Sequence, residues 1–581
     1  MPNMDVQFSG QTLVLPGAYY ADNVSGTANT ATALVPPTIL IGYCFGLPKN
    51  VPTTFATQQD ATAAVRGGPL GAFLPFVYSP SPELNGASIV TIINVGTNTA
   101  SSLSLVDGTG ATVLTMPSAN YGATENLKQA QVSAGSVGGV RLTLFDGYAN
   151  TQLTQDNLGL PMQITYDGTA STATYAITSS AISLTSTVAG ESLSIPIAPG
   201  TYDTVSKIVE YINGSGAFSA TTISNGDLPA SALDLPAGSV TMNVNQPINV
   251  TATLGDIVFW LSQYAGAYVG TPVIPAGIVS SPTTAPVPIP LTHFTGGTNV
   301  PPTVSDYAAG FNVALNIPGF GVFADSNDPA VQAMGAQHAK DASAPAARRP
   351  RRFFTGSSLG DSVSQALSQA SALDVYQATF CYPGIYRTNT ATGQNTLYSG
   401  LYHAAATVGM VAGNPVATAL TNKTLIGTGV EVALTVSQID QLQAGGVQCL
   451  YVPDSTGVPT ISSDMTTWLS DANVENVFNQ QVGIRQYLAY VLMQALQPYT
   501  GAIQSTIGIA NMRKAAVAAL NGQIINAQAT TGVLNSWDPT SLKLIFNGAQ
   551  QATTVSVNVV TVGQNRFTLI TTYLQPLNIS A

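Results

Sequence analysis

Arg351-Arg352-Phe353-Phe354-Thr355-Gly356 begins the stretch on which the fold turns, residues 348–452. Two phenylalanines and a threonine closed by glycine predict a buried strand. Beyond it, Ala366, Leu367, Ala370 and Leu373 recur at helical spacing, with Asp361 or Ser362 placed to cap the helix through a side-chain oxygen. Ala404-Ala405-Ala406-Thr407-Val408-Gly409-Met410-Val411-Ala412-Gly413 predicts a second helix, made of small residues, and Thr421-Asn422-Lys423 follows it. The stretch closes on Leu434-Thr435-Val436-Ser437-Gln438-Ile439-Asp440-Gln441-Leu442-Gln443-Ala444-Gly445-Gly446-Val447, a short helix turning back into a strand. Strands alternating with helices predict a mostly parallel sheet covered by helices.

Working outward, the same texture holds on both sides. Upstream, Phe294-Thr295-Gly296-Gly297-Thr298-Asn299 leads to Thr303-Val304-Ser305-Asp306-Tyr307, a capped helix start, and residues 319–324 and 328–340 read as strand and helix. Near the beginning, Pro36-Pro37-Thr38-Ile39-Leu40-Ile41-Gly42 reads as a buried strand, and residues 60–65 as a helix stopped by Gly67-Gly68-Pro69. Between these parts, residues 88–290 change character. Residues 102–106 and 111–116 alternate around Asp107-Gly108-Thr109-Gly110, which predicts a hairpin, and residues 163–166 and 172–178 do so around Asp167-Gly168. Helical faces over 204–213 and 256–264 interrupt an otherwise β-rich insertion of one or two lobes, and the proline-rich residues 280–290 read as its return linker.

From residue 473 the pattern becomes α+β. Residues 474–497 predict one long amphipathic helix and 507–525 a second, followed by strands over 541–546, 554–561 and 566–573. The chain thus divides into an N-terminal arm (1–30), a discontinuous α/β core (31–87 and 291–472), a β-rich insertion (88–290) and a C-terminal α+β domain (473–581). The arm carries Leu13-Val14-Leu15-Pro16-Gly17-Ala18-Tyr19-Tyr20, an extended segment broken by Pro-Gly.

Charged residues make up 8% of the 581, about a third of the usual ~25%. Mean hydropathy is +0.23, yet the most apolar windows, 487–496 and 319–324, fall short of the roughly 18–20 residues of a bilayer span. A surface rich in Ala, Gly, Ser, Thr, Asn and Gln can be buried against neighbours without stranding ions. Net charge is −11, and Lys207 is the only basic residue between Arg141 and Lys340. Nucleic-acid binding needs basic stripes and is not expected. The dense run Arg348-Arg349-Pro350-Arg351-Arg352 reads instead as a charged lead-in to a strand, paired with acidic groups of its own or of a neighbouring subunit. Met1-Pro2-Asn3-Met4-Asp5-Val6-Gln7 has neither a basic nor an apolar signal region, so manufacture and assembly in a cytoplasm are expected.

Gly356-Ser357-Ser358-Leu359-Gly360 fits GxSxG between a strand and a helix, and Asp374 and His403 follow in hydrolase order. Asp374 comes too soon for a triad acid on a later strand, however, and His403 opens an alanine-rich helix, so a strand-to-helix turn is the expected role. Cys44, Cys381 and Cys449 lack metal or redox spacing and read as buried thiols. His293, His338 and His403 form no ligand pair, which argues against zinc, and no GxxxxGK[ST] cradles a phosphate. Asp325-Ser326-Asn327-Asp328 departs from EF-hand spacing and reads as a turn and helix cap. No catalytic, cofactor-binding or metal site is expected.

Four segments, in order, resemble the contractile-tail sheath proteins of bacteriophages. They are Leu15-Pro16-Gly17-Ala18-Tyr19 with the Ile39-Leu40-Ile41-Gly42 strand, Phe294-Thr295-Gly296-Gly297 with Ser305-Asp306-Tyr307, residues 348–452, and the helix–helix–strands unit from Asn473. They span about two thirds of the chain; the W-G-x-R-T segment that many relatives carry after the 440–447 turn is absent. The resemblance implies a multidomain, tail-sheath-like architecture: an α/β core plus an α+β C-terminal domain, with the β-rich insertion facing outward. It also implies a structural subunit that polymerises with itself as stacked hexameric rings around a tail tube protein, meets baseplate and tail terminator proteins, and contracts to drive the tube through a host envelope. The location implied is the virion, with no cofactor, no nucleic acid and no membrane insertion. Strand exchange between subunits is implied for Thr12, Leu13, Val14 and Leu15 at one end and Phe567, Leu569, Tyr573 and Leu574 at the other. A tailocin or contractile injection device is the rival within that class. A GxSxG hydrolase with a β-rich accessory domain, or a β-rich adhesin or capsid decoration, is the rival outside it.

Overall fold

The computed structural model describes residues 6–8, 11–13 and 37–564, apart from 198, 237, 390–391, 455, 472, 503–504 and 526–531. Its central feature is an eight-stranded sheet in the order Thr460–Ile461, Val447–Tyr451, Ala378–Tyr382, Arg352–Gly356, Gly321–Ala324, Thr38–Gly42, Val90–Asn94, Thr53–Phe55. The inner strands are parallel and the two edge strands antiparallel. Parallel strands covered on both faces must be apolar throughout. The runs Thr38–Gly42, Val90–Asn94, Arg352–Gly356 and Ala378–Tyr382 are accordingly buried at every position.

Ile39, Ile41, Val322 and Phe353 pack under the helices Val304–Ala314 and Pro329–Ala342, which supply Tyr307, Phe311, Val331 and Ala336. Further along, Phe380, Tyr382 and Val447 meet Ala366 and Ala370 of Val363–Leu373 and Leu442 of Val436–Ala444. Side chains alternate across a strand, so Cys381 turns the other way and meets Thr407 of the small-residue helix Gly400–Gly413. Reciprocal capping boxes start three of these helices: Thr303 with Asp306, Ser362 with Gln365, and Thr435 with Gln438.

The chain forms two compact units. One gathers residues up to Cys44, Lys49–Gly96 and those from Pro302 on; the other is Phe45–Pro48 with Thr97–Pro301. Val90–Asn94, which the change of texture at residue 88 assigns to the insertion, is a core strand: all five residues are buried, and it pairs in parallel with Thr38–Gly42.

The second unit has two apolar cores. One lies against the antiparallel strands Thr151–Leu158, Val140–Asp146, Lys128–Ala134 and Ile289–His293 and the helix Thr253–Tyr264. The other lies between the three-stranded sheet centred on Met162–Tyr166 and the four-stranded sheet Leu193–Pro196, Ala181–Ser186, Thr172–Ile177, Val240–Asn243. The hairpin Ser102–Val106 with Thr112–Pro117 forms as its turn predicts, with Asp107 Oδ1 accepting from the amides of Thr109 and Ala111. The hairpin expected around Asp167-Gly168 does not form. Met162–Tyr166 pairs instead with Phe218–Thr222 and Pro247–Val250, and Thr172–Ile177 joins the other sheet.

At the C-terminal end the single helix expected over 474–497 is two, Val474–Val477 and Asn479–Leu496, divided at an extended Phe478 that bridges to Met465. The helix Thr506–Asn521 follows. The expected strand over 554–561 is likewise split: Ala552–Ser556 pairs with Lys543–Asn547, and Val559–Thr561 with Leu534–Trp537. The expected strand over 566–573 lies outside the described residues.

Candidate assembly interface

Thr12 and Leu13 lie in a two-stranded antiparallel ladder, Val6–Phe8 with Gln11–Leu13, where Leu13 pairs with Val6 and Thr12 with Gln7. Val14, Leu15, Phe567, Leu569, Tyr573 and Leu574 lie outside the described residues. Each strand of such a ladder presents a second row of N–H and C=O groups on its outer edge. Two strands alone are marginal in water and gain from a third.

The C-terminal region offers comparable edges. Among the described residues, Lys543–Asn547 with Ala552–Ser556, and Leu534–Trp537 with Val559–Thr561, are each two-stranded. Their inner faces are secured: Leu544 and Val555 pack on a core of Leu496, Met512, Ala516 and Leu542. Ile545 and Val560 point outward, 61% and 53% exposed.

A buried polar joint holds the helix Asn479–Leu496 to the core sheet. Arg352 Nη1 donates to the backbone oxygen of Asn479 at 3.2 Å and to its Oδ1 at 3.0 Å. Gly483 makes the room: a Cβ there would lie 2.8 Å from Arg352 Nη1. Asp464 accepts from Asn479 Nδ2 and from the amide of Gln480, both at 3.1 Å. Burial pushes the Asp464 carboxyl up to about 6 and the Arg352 guanidinium down to about 10. Beside it, Gln486 Nε2 donates to Ser343 Oγ and to the backbone oxygen of Arg351.

The basic run is therefore largely internal, with Arg351 and Arg352 both buried. Arg351 departs from the expected acidic pairing: its Nη1 donates to His338 Nε2 at 2.8 Å and its Nη2 to the backbone oxygen of Ile317. A guanidinium only donates, so His338 is a neutral acceptor, and burial lowers its pKa to about 3. A glycine within an apolar helical stripe, such as Gly483, was the one sequence signal of this joint.

Ser358, Asp374 and His403 do not converge. Ser358 Oγ accepts from Asn327 Nδ2, and its amide donates to Asp361. Asp374 closes a helix in the left-handed region and accepts from the Leu469 amide and Ser470 Oγ. His403 is buried against Gln448 Nε2, and burial drives its pKa to about 3. A base needs a pKa near working pH and reach to its nucleophile; His403 has neither. Cys44, Cys381 and Cys449 are buried and form no disulfide. Asp325 accepts from the Tyr43 amide and Tyr307 Oη, while Asp328 caps Pro329–Ala342. Among the described residues no group of three or more His, Cys, Asp or Glu is arranged to hold a metal, and no helix is long and apolar enough to cross a membrane.

No family model matches the chain. A curated relative, the tail sheath protein of Bacillus phage SP01, is 27% identical over 485 residues, covering 81% of this chain and 80% of its own. Among solved structures, a sheath tail protein from Listeria innocua superposes with a TM-score of 0.54 at 12% identity, over 91% of this chain and 93% of that one. Another from Desulfitobacterium hafniense gives 0.48 at 10% identity, over 89% and 92%. In sequence along four fifths of its length, and in fold, the chain resembles the tail sheath proteins of contractile systems.

Proposed function

We propose that the chain is the structural subunit of a contractile tail sheath, in a phage or a phage-like particle, that polymerises with itself as hexameric rings around a tail tube. The observation that carries this reading is the 27% identity to a phage tail sheath protein along 485 residues, a span too long to be confined to either unit. In the proposed assembly the N-terminal arm, including Thr12 and Leu13, and the segment with Phe567, Leu569, Tyr573 and Leu574 cross to neighbours and add strands to open sheet edges. Main-chain hydrogen bonds contribute affinity and alternating side chains set register. At about 0.5–1.5 kcal/mol per bond, several such bonds hold subunits together while other contacts change. Contraction needs no fuel at firing: the extended packing is metastable, and a small preference per subunit is multiplied over many copies. The tube, baseplate and terminator proteins are the partners this role requires, and the β-rich unit faces away from the tube. The chain has no enzymatic role in this reading; the Gly356–Gly360 segment is a turn.

Negative-stain microscopy of the purified chain tests the proposal. Hollow tubes with six-fold symmetry are expected; monomers persisting at high concentration count against it. Ester-hydrolysis assays on the wild type and Ser358→Ala supply the opposing test, since activity lost in the variant would establish the hydrolase instead.

A further inference from the structure

Among the described residues, three buried charged groups meet in the second unit, at the open end of one β-hairpin. Lys128 begins the strand Lys128–Ala134 and Asp146 ends the strand Val140–Asp146, and the register sets the two directly opposite. Their side chains meet: Lys128 Nζ is 4.0 Å from Asp146 Oδ2. Glu125, in the turn just before, places Oε2 2.8 Å from the same Nζ. Lys128 is 1% exposed, Glu125 0% and Asp146 3%. Buried ions of this kind carry a desolvation cost that their mutual attraction must offset.

Four further hydrogen bonds give the cluster chemical direction. Asp146 Oδ1 accepts from the backbone amides of Tyr148 at 2.9 Å and Ala149 at 3.1 Å. Paired amides on one carboxyl oxygen polarise the carbon and would stabilise negative charge on that oxygen as the carbon becomes tetrahedral. Lys128 Nζ also donates to the backbone oxygens of Tyr268 at 2.7 Å and Ala267 at 3.3 Å. These fix the nitrogen, leaving it on the Oδ2 side of the carboxyl. The strands behind supply Ala130, Val132, Leu142 and Leu144 to an apolar core that also holds Phe294 and Ala265. Nucleophile, electrophile and proton carrier are thus held together away from water, the condition under which an intramolecular reaction gains most from proximity.

We infer that Lys128 and Asp146 condense spontaneously into an intramolecular isopeptide bond, with Glu125 as the proton carrier. Glu125 takes one proton from the Lys128 ammonium, and the freed nitrogen lone pair attacks Asp146 Cγ. Oδ1 bears the charge of the tetrahedral intermediate between the Tyr148 and Ala149 amides. Oδ2 departs as water, carrying two of the three ammonium protons, one of them returned through Glu125. The third stays on the amide nitrogen, a C–N bond replaces a C–O bond, and no redox partner is needed. The product exchanges a buried ion pair for a neutral amide and ties the first residue of one strand to the last of the next.

Intact-mass spectrometry of the purified full chain, with tryptic peptide mapping, tests it. The expected result is a mass one water below the sequence value. Trypsin should fail to cut after Lys128, and one branched peptide should contain both Lys128 and Asp146. Glu125→Gln should be folded by circular dichroism, match its own sequence mass and be cut normally at Lys128. A wild-type chain at full sequence mass overturns the proposal. So does a water loss with Lys128 still cleaved, since Asp146-Gly147 can lose the same water as a succinimide; against that route, the Gly147 amide is engaged with the Leu127 oxygen at 3.3 Å. Should Glu125→Gln fail to fold, the wild-type mass and map still decide, and a cross-linked Glu125→Gln would remove Glu125 from the mechanism.

Discussion

Asp325 shows how one side chain couples the core sheet to pH. Its carboxyl turns inward at the end of the strand Gly321–Ala324, against Gly42, where an added Cβ would come within 2.4 Å of Cγ. Burial raises its pKa from the ordinary 3.8 to about 6, with the Tyr307 hydroxyl and the Tyr43 amide opposing the rise in part. A carboxyl whose folded pKa lies above its unfolded value takes up its proton more readily in the native state. The ionised form therefore costs stability above pH 6, and that cost disappears as the pH falls from 6 towards 3.8. Asp325→Asn keeps an acceptor for Tyr43 and cannot ionise. The variant should be stabilised relative to wild type by at most about 3 kcal/mol at pH 7, with the difference vanishing near pH 4. Urea unfolding of the unassembled chain across that range checks it; a pH-independent difference would show that the carboxyl is not the titrating group. None of this was legible in the sequence, where Asp325-Ser326-Asn327-Asp328 reads as a turn and cap. Capping is local and Asp328 performs it, whereas the environment of Asp325 is set by Tyr43 and Tyr307, distant in the chain.

Elements were legible where local chemistry and tertiary demand agreed. The helix Gly400–Gly413 was visible from its small residues, and the structure supplies the reason for their size. Gly409 lies against the backbone of Val77, with an added Cβ 2.3 Å from its oxygen, and Gly413 against Gly86, 2.1 Å from its oxygen. Overpacking of a filled interior costs about 1–3 kcal/mol, and a backbone neighbour cannot swing aside as a side chain can. Gly409→Ala should therefore lower stability by about that amount in urea unfolding, while Gly266→Ala, whose added carbon meets nothing within 4 Å, should leave it near wild type. Legibility failed where pairing is decided at long range. Asp167-Gly168 carries good turn residues, yet the flanking strands part into different sheets, because each buries its apolar face against strands far along the chain. The helical stripe over 474–497 likewise could not reveal the break at Phe478, since that break fits the joint that Asn479 makes with Arg352 and Asp464.

At the scale of the molecule, the boundaries of the β-rich unit decide what can be removed. Thr97–Thr99 pairs antiparallel with Thr298–Val300, Thr97 opposite Val300, so the first and last residues of the long segment Thr97–Pro301 lie side by side. Joining Gly96 to Pro302 through a short linker should leave a folded α/β chain, whereas excising residues 88–290 would take Val90–Asn94 out of the core sheet and should abolish folding. Circular dichroism and thermal unfolding distinguish the two. The arms test assembly rather than folding. The Val6–Phe8 and Gln11–Leu13 strands pair only with each other among the described residues, so deleting residues 1–20 removes no strand from the eight-stranded sheet. If these strands serve neighbouring subunits, the deletion should retain the circular dichroism and melting of the full chain yet sediment as a monomer where the full chain forms tubes. Loss of both properties would place the arm within its own subunit's fold. Wild-type polymerisation would exclude strand exchange by this arm and leave the C-terminal segment, with Phe567 and Tyr573, as the remaining means of linking one subunit to the next.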